Sequence, residues 1–131
     1  NQDNNRVIPF VINNSIKDKS FDCSPGNQKR DFLYIDDFVQ AVYKSLKSKR
    51  NNGELINIGS QKPIKIKNLI LKITSLVKKG NPNFSKISIR TDEPNELFPD
   101  ITKAKTILNW SPKVSLEKGL KKTISFYKKN G

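Results

Sequence analysis

Apolar residues recur at helical spacing in five segments of the 131-residue chain. Positions i, i+3, i+4 and i+7 lie on one face of a helix, so apolar residues at that spacing predict a helix with one buried face. In the first segment Ile8, Val11 and Ile12 have this spacing, and Pro9 suits a first helical turn. The pattern predicts helices over residues 7–18, 38–46, 67–79, 102–108 and 116–129.

Polar side chains of the kind that cap helices stand before three of these segments. Asp36-Asp37 precedes the second helix, Asp100 the fourth and Ser115 the fifth. Side-chain oxygens at such positions accept hydrogen bonds from the free N–H groups of the first turn. We therefore expect these residues to be N-caps.

Short stretches in which apolar and polar residues alternate predict strands between the helices. Pro25-Gly26-Asn27 is typical of a turn, and residues 80–83 are expected to break the chain. The order of elements predicts an α+β fold in one compact unit, with four to five helices and short strands. The predicted strands or extended pieces cover residues 21–24, 30–35, 54–58, 63–66 and 86–90, with a loop over 91–99.

Length and composition limit the class of protein. A chain of 131 residues that is 34% hydrophobic has enough apolar residues for one small core. It has no apolar run of the roughly 18–20 residues that cross a bilayer. The single cysteine, Cys23, excludes a disulfide framework and a multi-cysteine zinc site, and the chain has no histidine. These features predict a soluble, cytoplasmic globular protein without a membrane partner.

The chain starts at Asn1 and contains no methionine. A natural protein begins at a start codon, and methionine-free stretches of this length are uncommon. We therefore expect the chain to be a piece of a larger protein, trimmed on its N-terminal side.

The net charge of +13 raises the alternative of a free-standing, lysine-rich nucleic-acid-binding domain. However, 21 of the 25 basic residues are lysine, and lysine, asparagine and isoleucine together make 51 of the 131 residues. An AT-rich genome produces this composition without selection for a basic patch. A steep salt dependence of DNA binding would identify the alternative, but we expect no nucleic-acid partner. A third reading, an interaction module without a ligand, predicts that a nucleoside diphosphate does not raise the melting temperature.

Several stretches resemble one family in order and spacing. Residues 26–37 are similar to its G-x-x-x-R-D-F-x-Y/H-V-D-D segment, and residues 53–60 to its G-x-x-Y/F-N-I-G-S/G strand. Residues 108–112 resemble L-G-W-x-P. The family is the extended short-chain dehydrogenase/reductases, the NAD-dependent epimerases and dehydratases of nucleotide sugars. Further similar stretches are residues 63–69, 99–105 and 116–127.

The resemblance implies that residues 1–131 are the C-terminal, substrate-binding portion of a Rossmann-type enzyme. Family members oxidise a nucleoside-diphosphate sugar transiently at C4, and the reaction continues as epimerisation, dehydration or reduction. The Rossmann half holds the glycine-rich loop and NAD or NADP, so this chain alone is expected to bind no cofactor and to be inactive. In the family the strand matching Glu54–Ile58 joins the Rossmann sheet, so we expect the separated chain to self-associate, with this strand or the first helix at the contact.

The resemblance also places the substrate. Two arginines from separate segments would hold the diphosphate, an acidic residue would accept hydrogen bonds from the ribose hydroxyls, and a short segment would line the base. In this region Asp22-Cys23-Ser24 replaces the aliphatic or aromatic residues and glycine that are usual in the family. The predicted residues are Arg30 and Arg90 for the diphosphate, Glu93 for the ribose, and Phe21, Asp22 and Cys23 for the base.

Two features have plainer interpretations. Tyr43-x-x-x-Lys47 matches the acid–base pair of short-chain dehydrogenases, but a lysine-rich helix shows this pattern by chance, and we interpret it as a coincidence. Arg30 is equally compatible with an ordinary surface ion pair to Asp31 or Asp36, and Arg90 with one to Asp92. No residue of this chain is predicted to be catalytic, to bind the cofactor or to bind a metal.

Overall fold

The structure is a computed structural model, and it describes residues 6–88 and 92–130. Its helices confirm the helical prediction within shifts of a few residues at their ends. None of them has the length and apolar character that crossing a membrane requires. The helices are α1 (Val7–Ile16), α2 (Ile35–Lys47), α3 (Ile66–Val77), α4 (Thr102–Leu108) and α5 (Leu116–Asn130).

The strands of the described residues are only two or three residues long. β1 and β4 pair in parallel, with Phe21 opposite Pro82. The strands are β1 (Ser20–Asp22), β2 (Lys29–Arg30), β3 (Ile64–Lys65), β4 (Asn81–Asn83) and β5 (Glu96–Leu97).

The chain packs into two compact units, each assembled from separated stretches of sequence. Sequence analysis indicated one unit because no linker-like segment marks a boundary. The division is set instead by packing between distant segments. Unit 1 comprises residues 1–29, 64–95 and 120–131, and unit 2 comprises residues 30–63 and 96–119.

In unit 1, α1 packs against α3. Their facing side chains are almost completely buried, and Phe21 from β1 adds an aromatic ring beside them that meets the ring of Phe10 edge to face. Burial of such side chains stabilises a fold by about 1.5–3 kcal/mol each. The buried apolar residues of the two helices are Val11, Ile12, Ile66, Leu69, Ile70, Ile73 and Val77.

Unit 2 has its own core around Trp110, which is 3% exposed. The indole Nε1–H donates to the carbonyl oxygen of Asp37 at 3.0 Å. The Asp37 carboxylate is itself buried and accepts the backbone N–H groups of Lys113 and Val114 at 3.0 and 2.8 Å. The apolar members of this core are Leu33, Ala41, Ile56, Ile58, Ile101, Ala104, Ile107, Leu108 and Trp110.

One of the three predicted helix caps is confirmed, since Ser115 Oγ accepts the N–H of Lys118. The prediction for Asp100 was wrong by one position, because Ile101 is the N-cap of α4, although Asp100 Oδ1 accepts the N–H of Thr102 at 2.9 Å. Hydrogen bonds from the Thr102 hydroxyl and N–H hold the pKa of Asp100 below its usual range. The prediction for Asp36-Asp37 was wrong, because α2 already begins at Ile35 and both residues lie in its first turn.

Three strand predictions were wrong within the described residues. Only Arg30 of residues 30–35 belongs to a strand, since the chain enters α2 at Ile35. Residues 54–58 and 86–88 form no strand. Ile89 and Arg90 lie outside the described residues.

The predicted break at residues 80–83 contains β4, and the predicted loop at 91–99 contains β5. Pro82 has no backbone N–H to donate, but the residues on either side of it make the backbone hydrogen bonds of the strand. The N–H of Asn81 donates to Lys19, and the carbonyl of Asn83 accepts from Cys23.

Candidate functional site

The base-lining residues predicted from the sequence lie on and directly after β1 in unit 1. Phe21 and Cys23 are 5% and 6% exposed, whereas the Asp22 side chain between them is exposed. Asp22 Oδ1 accepts a hydrogen bond from Asn83 Nδ2 at 3.2 Å. Phe21 and Cys23 are therefore part of the core of unit 1, and of the three residues only Asp22 exposes its side chain.

The backbone of Cys23 continues the β1–β4 pairing. Its N–H donates to the Asn83 carbonyl at 2.8 Å, and its carbonyl accepts the N–H groups of Lys86 and Ile87. This holds the segment after β4 against the end of β1. Sequence analysis missed Asn83, since its Pro-Asn context is typical of a turn.

The pKa of the Cys23 thiol is raised by burial and, less, by the negative charge of Asp22. Only the thiolate reacts with alkylating reagents. We expect iodoacetamide to label Cys23 in the folded chain at least about tenfold more slowly than a free thiol at pH 8. Asp22→Asn should increase the rate, and unfolding in urea should abolish the protection. Labelling of the native chain as fast as glutathione would contradict the expectation.

The segment before β2 packs on the N-terminus of α3. Gly26 has a φ of +73°, and a Cβ there would lie 2.6 Å from the backbone nitrogen of Lys67, so glycine is required on both counts. The carbonyl oxygens of Gly26 and Gln28 accept the N–H groups of Lys67 and Ile66 at 2.9 and 3.0 Å. Residues 25–27 form no regular turn, so the prediction of one there was wrong, but these bonds to α3 fix the start of β2.

Gln28 and Lys67 also lie where the segment before β2 meets the start of α3. Gln28 is 8% exposed, and among the described residues its Oε1 has no hydrogen-bond partner. The Lys67 ammonium lies 5.2 Å from the ring centroid of Phe84. No sequence motif distinguished Gln28 or Lys67, because their burial and contacts depend on the position of α3.

Of the two arginines predicted to bind phosphate, only Arg30 lies within the described residues. Arg30 is half-buried and is the first residue of unit 2, immediately after Lys29 of unit 1. The Lys29 N–H donates to the carbonyl of Asn95 at 2.7 Å. Glu93, the predicted ribose contact, is half-buried and lies in unit 1, two positions before Asn95 in the sequence. Arg90 lies outside the described residues.

The Tyr43–Lys47 pair has the geometry of a surface contact. Lys47 Nζ lies 4.3 Å from the ring centroid of Tyr43, which places the ammonium over the ring, and Tyr43 is 56% exposed on α2. The pair makes an ordinary cation–π contact of the kind found on exposed helices. The described residues also contain no group of three or more cysteine, aspartate or glutamate side chains that could hold a metal ion.

A model of the GDP-mannose 4,6 dehydratase family matches residues 2–123. The chain belongs to this family. Its sequence is 37% identical over 126 residues to CDP-abequose synthase of Salmonella muenchen, covering 92% of this chain and 41% of that protein. It is 39% identical over 110 residues to UDP-glucuronate 4-epimerase of Thermodesulfobacterium geofontis, covering 80% of this chain and 32% of that protein.

A solved structure of the family has the same fold. UDP-glucuronic acid 4-epimerase from Bacillus cereus, in complex with UDP-glucuronic acid and NAD, matches with a TM-score of 0.89 and 32% identity. The match covers 99% of this chain and 42% of that chain. The predicted resemblance and the α+β class are confirmed, and the chain spans less than half the length of these family members.

Proposed function

We propose that this chain is the nucleoside-diphosphate-sugar-binding part of an NAD(P)-dependent epimerase or dehydratase. The observation that carries the proposal is the match over 99% of the chain to 42% of an epimerase in complex with UDP-glucuronic acid and NAD. The predicted contacts support it chemically. Two guanidinium groups suit a diphosphate, and a carboxylate suits ribose hydroxyls. The nucleic-acid alternative finds no support among the family members.

The residues present do not fit a dinucleotide cofactor. A dinucleotide site needs a glycine-rich turn between a parallel strand and a helix. The chain has no G-x-G-x-x-G spacing, and the parallel strands β1 and β4 are three residues long. In this proposal the rest of a longer enzyme would hold NAD(P), which would supply the redox chemistry, while this chain holds the nucleotide.

The test compares the chain with the complete reading frame that contains it. We expect the complete protein to bind NAD(P) and to convert a nucleoside-diphosphate sugar, and the 131-residue chain to do neither. A nucleoside diphosphate should still raise the melting temperature of the chain. A reading frame that encodes only this chain, or turnover by the chain alone, would overturn the proposal.

The Tyr43 interpretation is testable in the same enzyme. Since the Lys47 ammonium lies over the ring of Tyr43, we expect Tyr43→Phe to change kcat and KM by less than about twofold. A collapse of turnover with an unchanged melting temperature would show that Tyr43 is the acid–base residue after all.

The apolar stripe of α2 identifies where unit 2 would meet the rest of the enzyme. The stripe consists of Ile35, Phe38, Val39, Val42, Tyr43 and Leu46, which repeat at helical spacing and are 43–81% exposed. Leu55, from the neighbouring segment of the chain, is 81% exposed. Contiguous exposed apolar surface of this kind marks an interaction site. Its proposed occupant is the Rossmann half of the same enzyme.

We expect the separated chain to self-associate through this α2 apolar stripe. Leu46→Glu places a charge on its most exposed member and should weaken association at least about tenfold, because a carboxylate is costly to bury. Leu71→Glu, at a 45% exposed leucine of α3 in unit 1, is the matched control and should change little. Sedimentation velocity measures both. A monomeric wild-type chain, or equal effects of the two variants, would contradict this placement.

A further inference from the structure

We infer that Asp31 is a positioning residue that holds Arg30 for the nucleotide diphosphate by locking the backbone to Ser60. The inference rests on the proposed function, because that function supplies the diphosphate that Arg30 would bind. Asp31 itself makes no contact with the substrate in this inference. Asp31 and Ser60 are 29 positions apart in the sequence.

Both carboxylate oxygens of Asp31 accept hydrogen bonds from one residue. The Ser60 N–H donates to Oδ2 at 2.7 Å, and the Ser60 hydroxyl donates to Oδ1. The same hydroxyl oxygen accepts the N–H of Lys62 at 3.1 Å. Because that bond and the bond to Oδ1 together fix the direction of the hydroxyl, the carboxylate is held in one orientation. Hydrogen bonds to an ionised group are also the stronger kind.

Gly59 closes the space around this carboxylate. A Cβ at Gly59 would clash with Asp31 Oδ2 and with Pro99 Cγ, so only glycine permits the approach. The Asp31 carboxylate is therefore packed as well as hydrogen-bonded.

Arg30 is the last residue of its strand, so the sheet holds the chain on only one side of it. β2 contains only Lys29 and Arg30, and residues 31–34 belong to no helix or strand. On one side of Arg30 the backbone is fixed by the bond from Lys29 N–H to the Asn95 carbonyl. On the other side, where the chain leaves β2, the middle strand of a three-stranded sheet with β3 and β5, the Asp31 carboxylate bound to Ser60 holds the backbone. A long arginine side chain contributes most to binding when its backbone is already fixed.

The experiment measures substrate kinetics of the complete enzyme with Asp31 replaced. We expect Asp31→Ala to raise the nucleotide-sugar KM about tenfold and to change kcat less than twofold, as a lost binding contact does. Asp31→Asn should retain most of the affinity. Its amide oxygen can accept the Ser60 N–H, and its amide nitrogen can donate to Ser60 Oγ. Equal KM values for the two variants would overturn the positioning role.

A matched control separates positioning from loss of a structural hydrogen bond. Asp100 also accepts an N–H and an O–H, both from Thr102, and it lies in the same unit. Asp100→Ala should leave KM unchanged, measured well below the melting temperature of every variant. A KM increase equal to that of Asp31→Ala would overturn the inference.

Combining the substitution with Arg30→Ala provides the decisive comparison. If Asp31 acts through Arg30, the double variant should have the KM of Arg30→Ala alone, because coupled residues are not additive. Full additivity, or a normal KM in Asp31→Ala when Arg30→Ala raises it, would overturn the inference and leave the proposed function intact. Failure of the wild-type enzyme to bind any nucleoside-diphosphate sugar would overturn the proposed function itself.

Discussion

Replacing Arg30 by alanine in the complete enzyme should raise the KM for the nucleotide sugar at least tenfold, with the melting temperature nearly unchanged. The expected loss follows from one or two charge-assisted hydrogen bonds to the diphosphate, which contribute on the order of 1.5–3 kcal/mol each. Arg30→Lys should recover only part of the affinity, because an ammonium cannot reproduce the planar fork of a guanidinium. Steady-state kinetics at several substrate concentrations measures both effects.

Arg50 provides the matched control for this experiment. It is exposed in the polar segment after α2, and Arg50→Ala removes the same charge from the same unit. We expect its KM to equal that of the wild type. Arg90→Ala should behave like Arg30→Ala if the predicted diphosphate clamp is correct. Wild-type KM values for both Arg30→Ala and Arg90→Ala would show that the clamp does not exist.

Replacing Asp37 by alanine should lower the free energy of unfolding of the chain by about 2–4 kcal/mol. Asp37 is 4% exposed, and its carboxylate accepts the N–H groups of Lys113 and Val114. Its removal leaves two partly buried donors without a partner, and each costs its desolvation free energy. Urea denaturation followed by circular dichroism gives the value.

The neighbouring residue Asp36 isolates this effect from helix electrostatics. Both aspartates lie in the first turn of α2, where a negative charge stabilises the helix N-terminus. Because Asp36 is exposed, Asp36→Ala should cost less than about 1 kcal/mol. Similar losses for the two variants would show that the hydrogen bonds to Lys113 and Val114 contribute little.

The helices were predictable because their signal is local. Val11 and Ile12 in α1, and Leu69 and Ile73 in α3, follow the helical repeat and are buried as expected. The strands were not predictable in this way, since each is two or three residues long and is defined by its partner. β4 carries a proline between two asparagines, and only its pairing with β1 makes it a strand.

The candidate site was predictable where a residue type and a turn indicate chemistry. The break in regular structure at Gly26, which has a φ of +73°, and the position of Arg30 after it could be identified from the sequence. The partners of these residues could not. Asp31 faces Ser60, and Gln28 is buried beside the start of α3, because distant segments pack there. Single-sequence patterns contain no information on such pairs.

The interleaving of the two units sets the order in which they can fold during synthesis. The chain passes between the units four times, and unit 1 needs residues 120–131 for completion. Leu120 and Ile124 of α5 are 3% and 5% exposed, so these last residues are part of its packing. On the ribosome, unit 2 can therefore assemble once Gly119 has left the exit tunnel, whereas unit 1 must wait until residues 120–131 have also emerged. A nonsense codon in place of the codon for Leu120 would release a protein with one finished unit and one unfinished unit, a substrate for quality-control proteases.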